Sequence, residues 1–259
     1  MKAIFIADAH LKRSRDPGYR ALLRFLGRLK PAGPVSATMA GEGGNLSSST
    51  ITVTDLFLVG DTFDFWFSRK GRIYPEFTEL IDRLQMLKTE GVSVHLCEGN
   101  HDFFLKGYFS HTLGMNVYED WAVIEDNGRK ILVGHGDLVD QTNLRYLWLR
   151  RFLRSRLIFC LHRCLPLRFL WRVARWSSDM SKEFMDGGDE RIAEAMRLFA
   201  RDKFQEGFDA VILGHCHKAG LTAYLLGGKD RYFATLGDWL RYNSYLYYDE
   251  GKFSLGHEK

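Results

Sequence analysis

Five short stretches of this chain end in residue types that hold metal ions. They are Asp8-Ala9-His10, Gly60-Asp61, Gly99-Asn100-His101-Asp102, Gly134-His135-Gly136 and Gly214-His215-Cys216-His217. Asp8 and His10 stand two residues apart, as do His215 and His217. On an extended strand end such pairs point the same way, so each pair can grip one ion. A carboxylate can bridge two cations, and Asp61 is the candidate for that place. Imidazole and oxygen donors without thiolate suit manganese, iron, zinc or cobalt better than a closed structural zinc site. The neighbouring glycines let the backbone turn sharply and come close to a phosphate. Two ions about 3.5–4 Å apart can activate a hydroxide and hold a phosphorus atom for in-line attack. Each dipeptide alone could be an ordinary turn, and a single strand-end histidine is often only a hydrogen-bonded structural residue. Five of them in order, each after an apolar run, point to one joint site.

The segments that must position these residues share one design. Residues 2–8, 55–61, 93–100, 130–135 and 210–215 each carry four to six apolar or β-branched residues and then stop at Asp, Asn or His. Such runs read as strands buried on both faces. Helix-period segments lie between them, at 19–29, 77–90 and 189–205, the last with Ile192, Met196, Phe199 and Ala200 on one stripe. Alternating strands and helices predict an α/β layered fold, with ligands beyond the carboxyl ends of the strands. Residues 222–226, 231–236 and 244–248 read as further strands, with Gly227-Gly228 as a hairpin turn.

Two segments break this rhythm. Residues 31–50 are rich in Gly, Ser, Ala and Thr and read as a flexible surface loop. Residues 144–184 are rich in Leu, Trp, Phe and Arg, with a break at Pro166, and read as two or three amphipathic helices forming an inserted cap.

Composition narrows the class. The 259 residues are 46% hydrophobic and 26% charged, which excludes disordered, collagen-like and coiled-coil chains. A chain of this length buries about three quarters of its unfolded surface, so one large domain needs no staples. The four cysteines form no CxxC pair and read as reduced thiols. The start lacks the apolar run of a signal peptide, and no stretch approaches the roughly 18 apolar residues of a membrane span, so a cytoplasmic protein is expected. The net charge of +4 is unevenly placed: residues 144–185 hold ten Lys/Arg against two acids, leaving the remainder net negative. A basic block of this kind suits phosphate or an anionic membrane surface. Its many large apolar residues fit a polar nucleic-acid groove poorly, and no nucleic acid is expected as a partner.

The motif series Asp8-x-His10, Gly60-Asp61-x-x-Asp64, Gly99-Asn100-His101-Asp102, Gly134-His135-Gly136-Asp137 and Gly214-His215-x-His217 resembles the calcineurin-like metallophosphoesterase superfamily over essentially the whole chain. The resemblance implies a single domain, a four-layer αββα sandwich interrupted by the helical cap, with two divalent metal ions. It implies that Asp8, His10, Asp61 and His217 hold one ion, and Asp61, Asn100, His135 and His215 the other. His101, oriented by Asp102, would meet the substrate phosphate beside Asn100 and protonate the leaving oxygen. Asp102 has a second reading as a turn cap.

Residues 60–66 (GDTFDFW), 99–107 (GNHDFFLKG), 181–186 (SKEFMD), 214–219 (GHCHKA) and 236–239 (LGDW), with the basic apolar insertion, are similar to the UDP-2,3-diacylglucosamine hydrolase family. That likeness implies a manganese-dependent enzyme of lipid A synthesis, peripheral on the cytoplasmic face of the inner membrane. Such an enzyme cleaves the pyrophosphate of its lipid-linked sugar nucleotide to UMP and 2,3-diacylglucosamine 1-phosphate, and its cap shelters the acyl chains. Where that family has Asn-Arg-Asp, this chain has Asn100-His101-Asp102. Another lipid- or nucleotide-linked phosphodiester is therefore the alternative substrate. In the cap, interleaved arginines can snorkel to lipid head groups, and Arg145, Arg151 and Lys182 are the candidates for phosphate contacts. The competing reading is a helical hairpin packed on the core with a solvated basic face.

Overall fold

The computed structural model describes residues 1–32, 50–172 and 189–258. Two β-sheets pack face to face with helices outside them. The first contains parallel strands β1 (Lys2–Ile6), β4 (Asp55–Val59), β5 (Ser93–Cys97) and β6 (Asn116–Tyr118), extended at one edge by antiparallel β12 (Ser244–Asp249) and β13 (Lys252–His257). Its order is β13-β12-β1-β4-β5-β6. The second is ordered β10 (Ala219–Leu226), β11 (Lys229–Leu236), β9 (Ala210–Leu213), β8 (Arg129–Gly134), β7 (Trp121–Asp126). A short parallel pair, β2 (Leu29–Pro31) and β3 (Ile51–Val53), closes one flank.

Three apolar clusters define the layers. Phe5, Phe57, Val59, Val133, Ile212, Ala234 and Tyr248 fill the space between the sheets, where the Phe5 and Phe57 rings stack at 4.7 Å. Helices α1 (Pro17–Arg28) and α2 (Thr78–Thr89) cover the other face of the first sheet, burying Leu22, Phe25, Leu80 and Leu84 against it. Helix α6 (Asp189–Gln205) covers the second sheet through Met196, Ala200 and Phe204. The parallel strands lie between a helix layer and a second sheet, which is why they read as continuous apolar runs. The four-layer αββα order expected from the sequence is the order observed.

The differences are local. Helix α1 stops at Arg28, because Leu29 turns extended (ψ 133°) and enters β2. Pro31 ends that strand, and all but the edges of the expected 31–50 loop lie outside the described residues. Strands β6, β7 and β13 carry no buried run and were not legible; β7, for example, alternates buried Ala122 with half-exposed Val123. A short helix, α3 (Lys106–Phe109), follows β5; after β8 come α4 (Leu144–Leu153) and α5 (Arg156–Cys164), followed by helical backbone at 167–172, and the expected cap beyond 172 lies outside the described residues. Asn143 and Ser155 cap α4 and α5, accepting the N–H groups of Tyr146 and Ile158.

Candidate metal centre

The five polar stretches meet at one end of the sandwich, beyond the carboxyl ends of β1, β4, β5, β8 and β9. The loop after β1 is zipped to the loop after β4 by backbone bonds: Asp8 N–H to the Gly60 carbonyl (3.2 Å), His10 to Asp61 (2.8 Å) and Leu11 to Thr62 (3.0 Å). Asp8, His10, Asp61 and His215 all have left-handed backbone, with φ of 52°, 41°, 48° and 63°. That conformation costs an L-residue about 1 kcal/mol or more, and persists where the surroundings over-determine it. The pairs Asp8/His10 and His215/His217 therefore converge because the chain leaves its strand and turns left-handed. The extended-strand alternation expected from sequence is not the cause, since β1 ends at Ile6 and β9 at Leu213.

Two glycines permit the close approach. A Cβ on Gly60, where φ is +78°, would lie 2.5 Å from the His135 ring. One on Gly99 would lie 2.1 Å from Asp61 Oδ1. Neither position has room for a side chain.

The donor atoms crowd together. Asp61 Oδ2 lies 3.7 Å from His10 Nε2 and 3.5 Å from His135 Nε2, between the two histidines. Its other oxygen accepts the His101 N–H at 2.9 Å. Asp8 Oδ2 accepts the His215 N–H at 2.8 Å, and Asp8 Oδ1, 3.9 Å from His10 Nε2, is buried with no hydrogen-bond partner. His135 Nε2 stands 3.0 Å from Asn100 Oδ1 and 3.2 Å from His215 Nδ1. The His10 and His217 rings stack at 5.7 Å, and His101 meets His10 edge-on at 4.9 Å. Three combinations, Asp8/His10/His217, His10/Asp61/His101 and Asp8/Asp61/His135, bring one ligand atom from each residue within 4.8 Å of the others.

Several histidines are oriented from behind. His135 Nδ1 donates to the Val59 carbonyl at 3.3 Å, and His101 Nδ1 to the Asp64 carbonyl at 3.3 Å. A carbonyl only accepts, so the Nδ1 atoms carry protons and Nε2 faces the cluster. His217 Nδ1 lies 3.3 Å from Asp238 Oδ2; the other Asp238 oxygen accepts the Arg241 N–H and starts α7 (Trp239–Tyr242). This is the pattern by which a second carboxylate or carbonyl steers a ligating imidazole.

The titration behaviour follows from burial and crowding. Burial pushes the Asp8 carboxyl up to about 6, against the pull of His135. Burial lowers His10 to about 3 and His215 to about 4. Burial also opposes charge at His135, but the Asp61 carboxylate outweighs it and lifts the imidazole to about 10. Asp61 is itself held well below the usual range, because His135 and its neighbours overcome burial. The Asp238 hydrogen bond raises His217. The unpartnered Asp8 oxygen, the Nε2-inward histidines and the N/O donor set together fit divalent cations.

Asp102 departs from the expectation that it orients His101. Its carboxylate is fully buried and accepts three backbone N–H groups, from Asp61 (2.9 Å), Gly99 (3.0 Å) and Phe63 (3.0 Å). It joins the loop after β4 to the loop after β5 and acts on the site through Asp61, in line with its second reading as a turn cap. The Asp64 carbonyl holds the His101 ring instead. In the cap, Arg145 and Arg151 lie exposed on α4, and Lys182 lies outside the described residues.

The groups behind the ligands had no role assigned from sequence, although Asp238 lies in the 236–239 stretch that carries the hydrolase likeness. Asp238 sits in a Gly-Asp-Trp stretch just after an apolar run. Arg150 and Arg154 follow Tyr146 at intervals of four, which is one face of a helix.

The model of the calcineurin-like phosphoesterase family matches residues 1–219. The chain belongs to that family. It is a hydrolase of the metallophosphoesterase kind. The chain is 29% identical to a UDP-2,3-diacylglucosamine hydrolase from Aeromonas salmonicida, over 97% of this chain and 91% of that protein. Proteins of the same name from Pseudomonas entomophila and Stenotrophomonas maltophilia are each 27% identical, covering 97% and 98% of this phosphoesterase and equal shares of their own lengths.

Proposed function

We propose that this phosphoesterase hydrolyses the pyrophosphate of UDP-2,3-diacylglucosamine to UMP and 2,3-diacylglucosamine 1-phosphate, a step of lipid A synthesis. The observation that carries the chemistry is Asp61 Oδ2, set between His10 and His135 with Asp8 Oδ1 left unpartnered nearby. The substrate rests on the names of the full-length relatives.

Asp8, His10, Asp61 and His217 would hold one divalent cation, and Asp61, Asn100, His135 and His215 a second, with manganese as the expected metal. Bound there, the two cations would supply charge stabilisation to the phosphoryl oxygens and a nucleophile at neutral pH. The remaining work falls to the chain. Asn100 and His101 meet the phosphate at the open side of the cluster. His101, its Nδ1 proton held by the Asp64 carbonyl, would present Nε2 to the leaving oxygen and, as the imidazolium, give it the Nε2 proton, returning to the neutral ring. Asp102 keeps Asp61 and Gly99 in register. Arg145, Arg151 and Lys182 are the proposed cap contacts to the nucleotide phosphates.

The cap supports a lipid substrate. Leu144, Trp148 and Leu157 are 73%, 68% and 69% exposed, and Trp148 stacks in parallel on the exposed Phe152. Apolar side chains left uncovered among arginines fit acyl chains and an anionic membrane surface. Among the described residues no helix is long and apolar enough to cross a membrane, so the proposed position is peripheral, on the cytoplasmic face. A second reading keeps the reaction and changes the substrate to another lipid- or nucleotide-linked phosphodiester. It is favoured by His101, which packs on His10 inside the cluster where the hydrolase likeness calls for arginine.

The test is mass spectrometry of the products from UDP-2,3-diacylglucosamine and Mn2+, comparing wild type with Asp61→Ala. Release of UMP by wild type alone is the expected result. Turnover of aryl phosphodiesters without release of UMP would establish the second reading.

A further inference from the structure

We propose that α4 is a latch on one half of the metal centre, with Tyr146, Arg150 and Arg154 as positioning residues. Seating of this helix and cation binding at the Asn100–His135 half are thereby coupled. The inference rests on the two-cation reading above.

The three residues form one stripe, four positions apart, along α4 and its C-terminal cap. Arg150 Nε donates to Asp137 Oδ2 at 2.7 Å, and the Tyr146 hydroxyl donates to the same oxygen at 2.7 Å. Arg150 also reaches Asp120 at 2.8 Å. Asp137 is buried and lies two residues after His135. One turn further on, Arg154 donates to Glu98 Oε2 at 2.7 Å and to the carbonyls of Gly99 (2.8 Å) and Glu119 (3.2 Å), with its guanidinium over the Phe103 ring. Glu98 is buried, and its second oxygen accepts the Leu105 N–H at 2.8 Å. Glu98 thus pins both ends of the 98–105 segment, which carries Asn100, and connects it to α4.

The same two loops supply Asn100 Oδ1 and His135 Nε2, which stand 3.0 Å apart. Both carboxylates are desolvated, so an arginine that leaves exposes a charge the site cannot solvate. Helix α5 adds a third contact, Phe159 edge-on to Phe104 at 5.0 Å. His217, by contrast, is steered by Asp238 beside α7. The coupling is accordingly one-sided. Among the described cations of the basic segment, Arg150 and Arg154 are turned inward, and the helix's apolar residues Trp148 and Phe152 are turned out. By linkage, a cation that tightens the Asn100–His135 half must tighten α4 by the same factor.

The experiment titrates the metal-free full-length protein with Mn2+ by calorimetry and follows amide exchange of residues 144–153 with and without the ion. Wild type is expected to show two classes of site and slower exchange in α4 when Mn2+ is bound. Arg154→Met and Arg150→Met should each weaken one class about tenfold or more, leave the other within about twofold, and abolish the metal-dependent protection. Tyr146→Phe should weaken the same class a few-fold. Arg197→Ala, which removes an exposed pair with Glu194 on α6, should change neither class. If Arg154→Met does not fold, Tyr146→Phe and Glu98→Gln carry the test. Two unchanged classes in these variants, or equal weakening of both, would overturn the latch while leaving the two-cation centre standing. A wild-type protein that takes up no cation would overturn both.

Discussion

The strand-end loops and helix α4 lie against each other and obey opposite rules. In the loops, Asp8 and Asp102 are fully buried and His135 is 1% exposed; Asp102 is satisfied by three backbone N–H groups, while Asp8 keeps one oxygen without a hydrogen bond. On α4, Leu144 and Trp148 stand more than two-thirds in water, while its Tyr146, Arg150 and Arg154 turn inward to carboxylates. Buried charge is tolerated only when paired or ligating, and exposed apolar area is informative only when contiguous. The first region is held by its neighbours, since four of its residues adopt left-handed backbone. The second leaves apolar surface uncovered. The contrast separates residues proposed to perform the chemistry from residues proposed to choose what reaches it.

The largest expected effect lies in the loops. Asp61→Ala removes the oxygen between His10 and His135 and should lower turnover by at least about a thousandfold, while circular dichroism stays native and bound metal, measured by elemental analysis, falls. Turnover above a tenth of wild type would break the assignment of the loops as the reactive region.

Next is Asp102→Ala, which strips three buried N–H groups of their acceptor. Urea denaturation should show a loss of about 3 kcal/mol. A loss below about 0.5 kcal/mol would mean that the two loops hold together without it.

The pH dependence sharpens the same region. His135 is raised in the folded protein to about 10 from an ordinary value near 6.5. Its pairing with Asp61 therefore stabilises the metal-free protein fully below about pH 6.5, and that contribution is lost as pH rises through about 10. A cation held at His135 would take the place of the Nε2 proton, so Mn2+ binding at pH 8 should release protons, read as a calorimetric enthalpy that varies with the buffer's ionisation heat. A buffer-independent enthalpy counts against it.

On α4 the expected change in stability is the smallest. Trp148→Ala should alter unfolding free energy by no more than about 0.5 kcal/mol, yet weaken sedimentation with vesicles containing anionic lipid several-fold. A stability loss well beyond this, with vesicle binding intact, would make Trp148 a packing residue and erase the contrast.

Much of the centre was legible before any coordinates. The polar stops after apolar runs placed Asp8, His10, Asp61, Asn100, His135, His215 and His217 at strand ends, and the structure gathers them there. Short strands such as β6 and half-exposed ones such as β7 escaped, because three residues or a mixed face give too little period to read. The cause of the convergence also escaped. Asp and His are the non-glycine types that enter left-handed backbone more often than most, but that enrichment is too weak to mark Asp8, His10, Asp61 and His215 from sequence.

By itself the sequence determined the layers and the donor set, since periodicity and residue chemistry are local properties that a strand or helix carries with it. Only the tertiary structure decided where each second atom points. Asp102 could have faced His101 or the backbone, and the arginines of α4 could have faced lipid or carboxylate. Those outcomes depend on which distant loops meet, and on the cost of leaving a buried N–H or a desolvated carboxylate unpaired once they do.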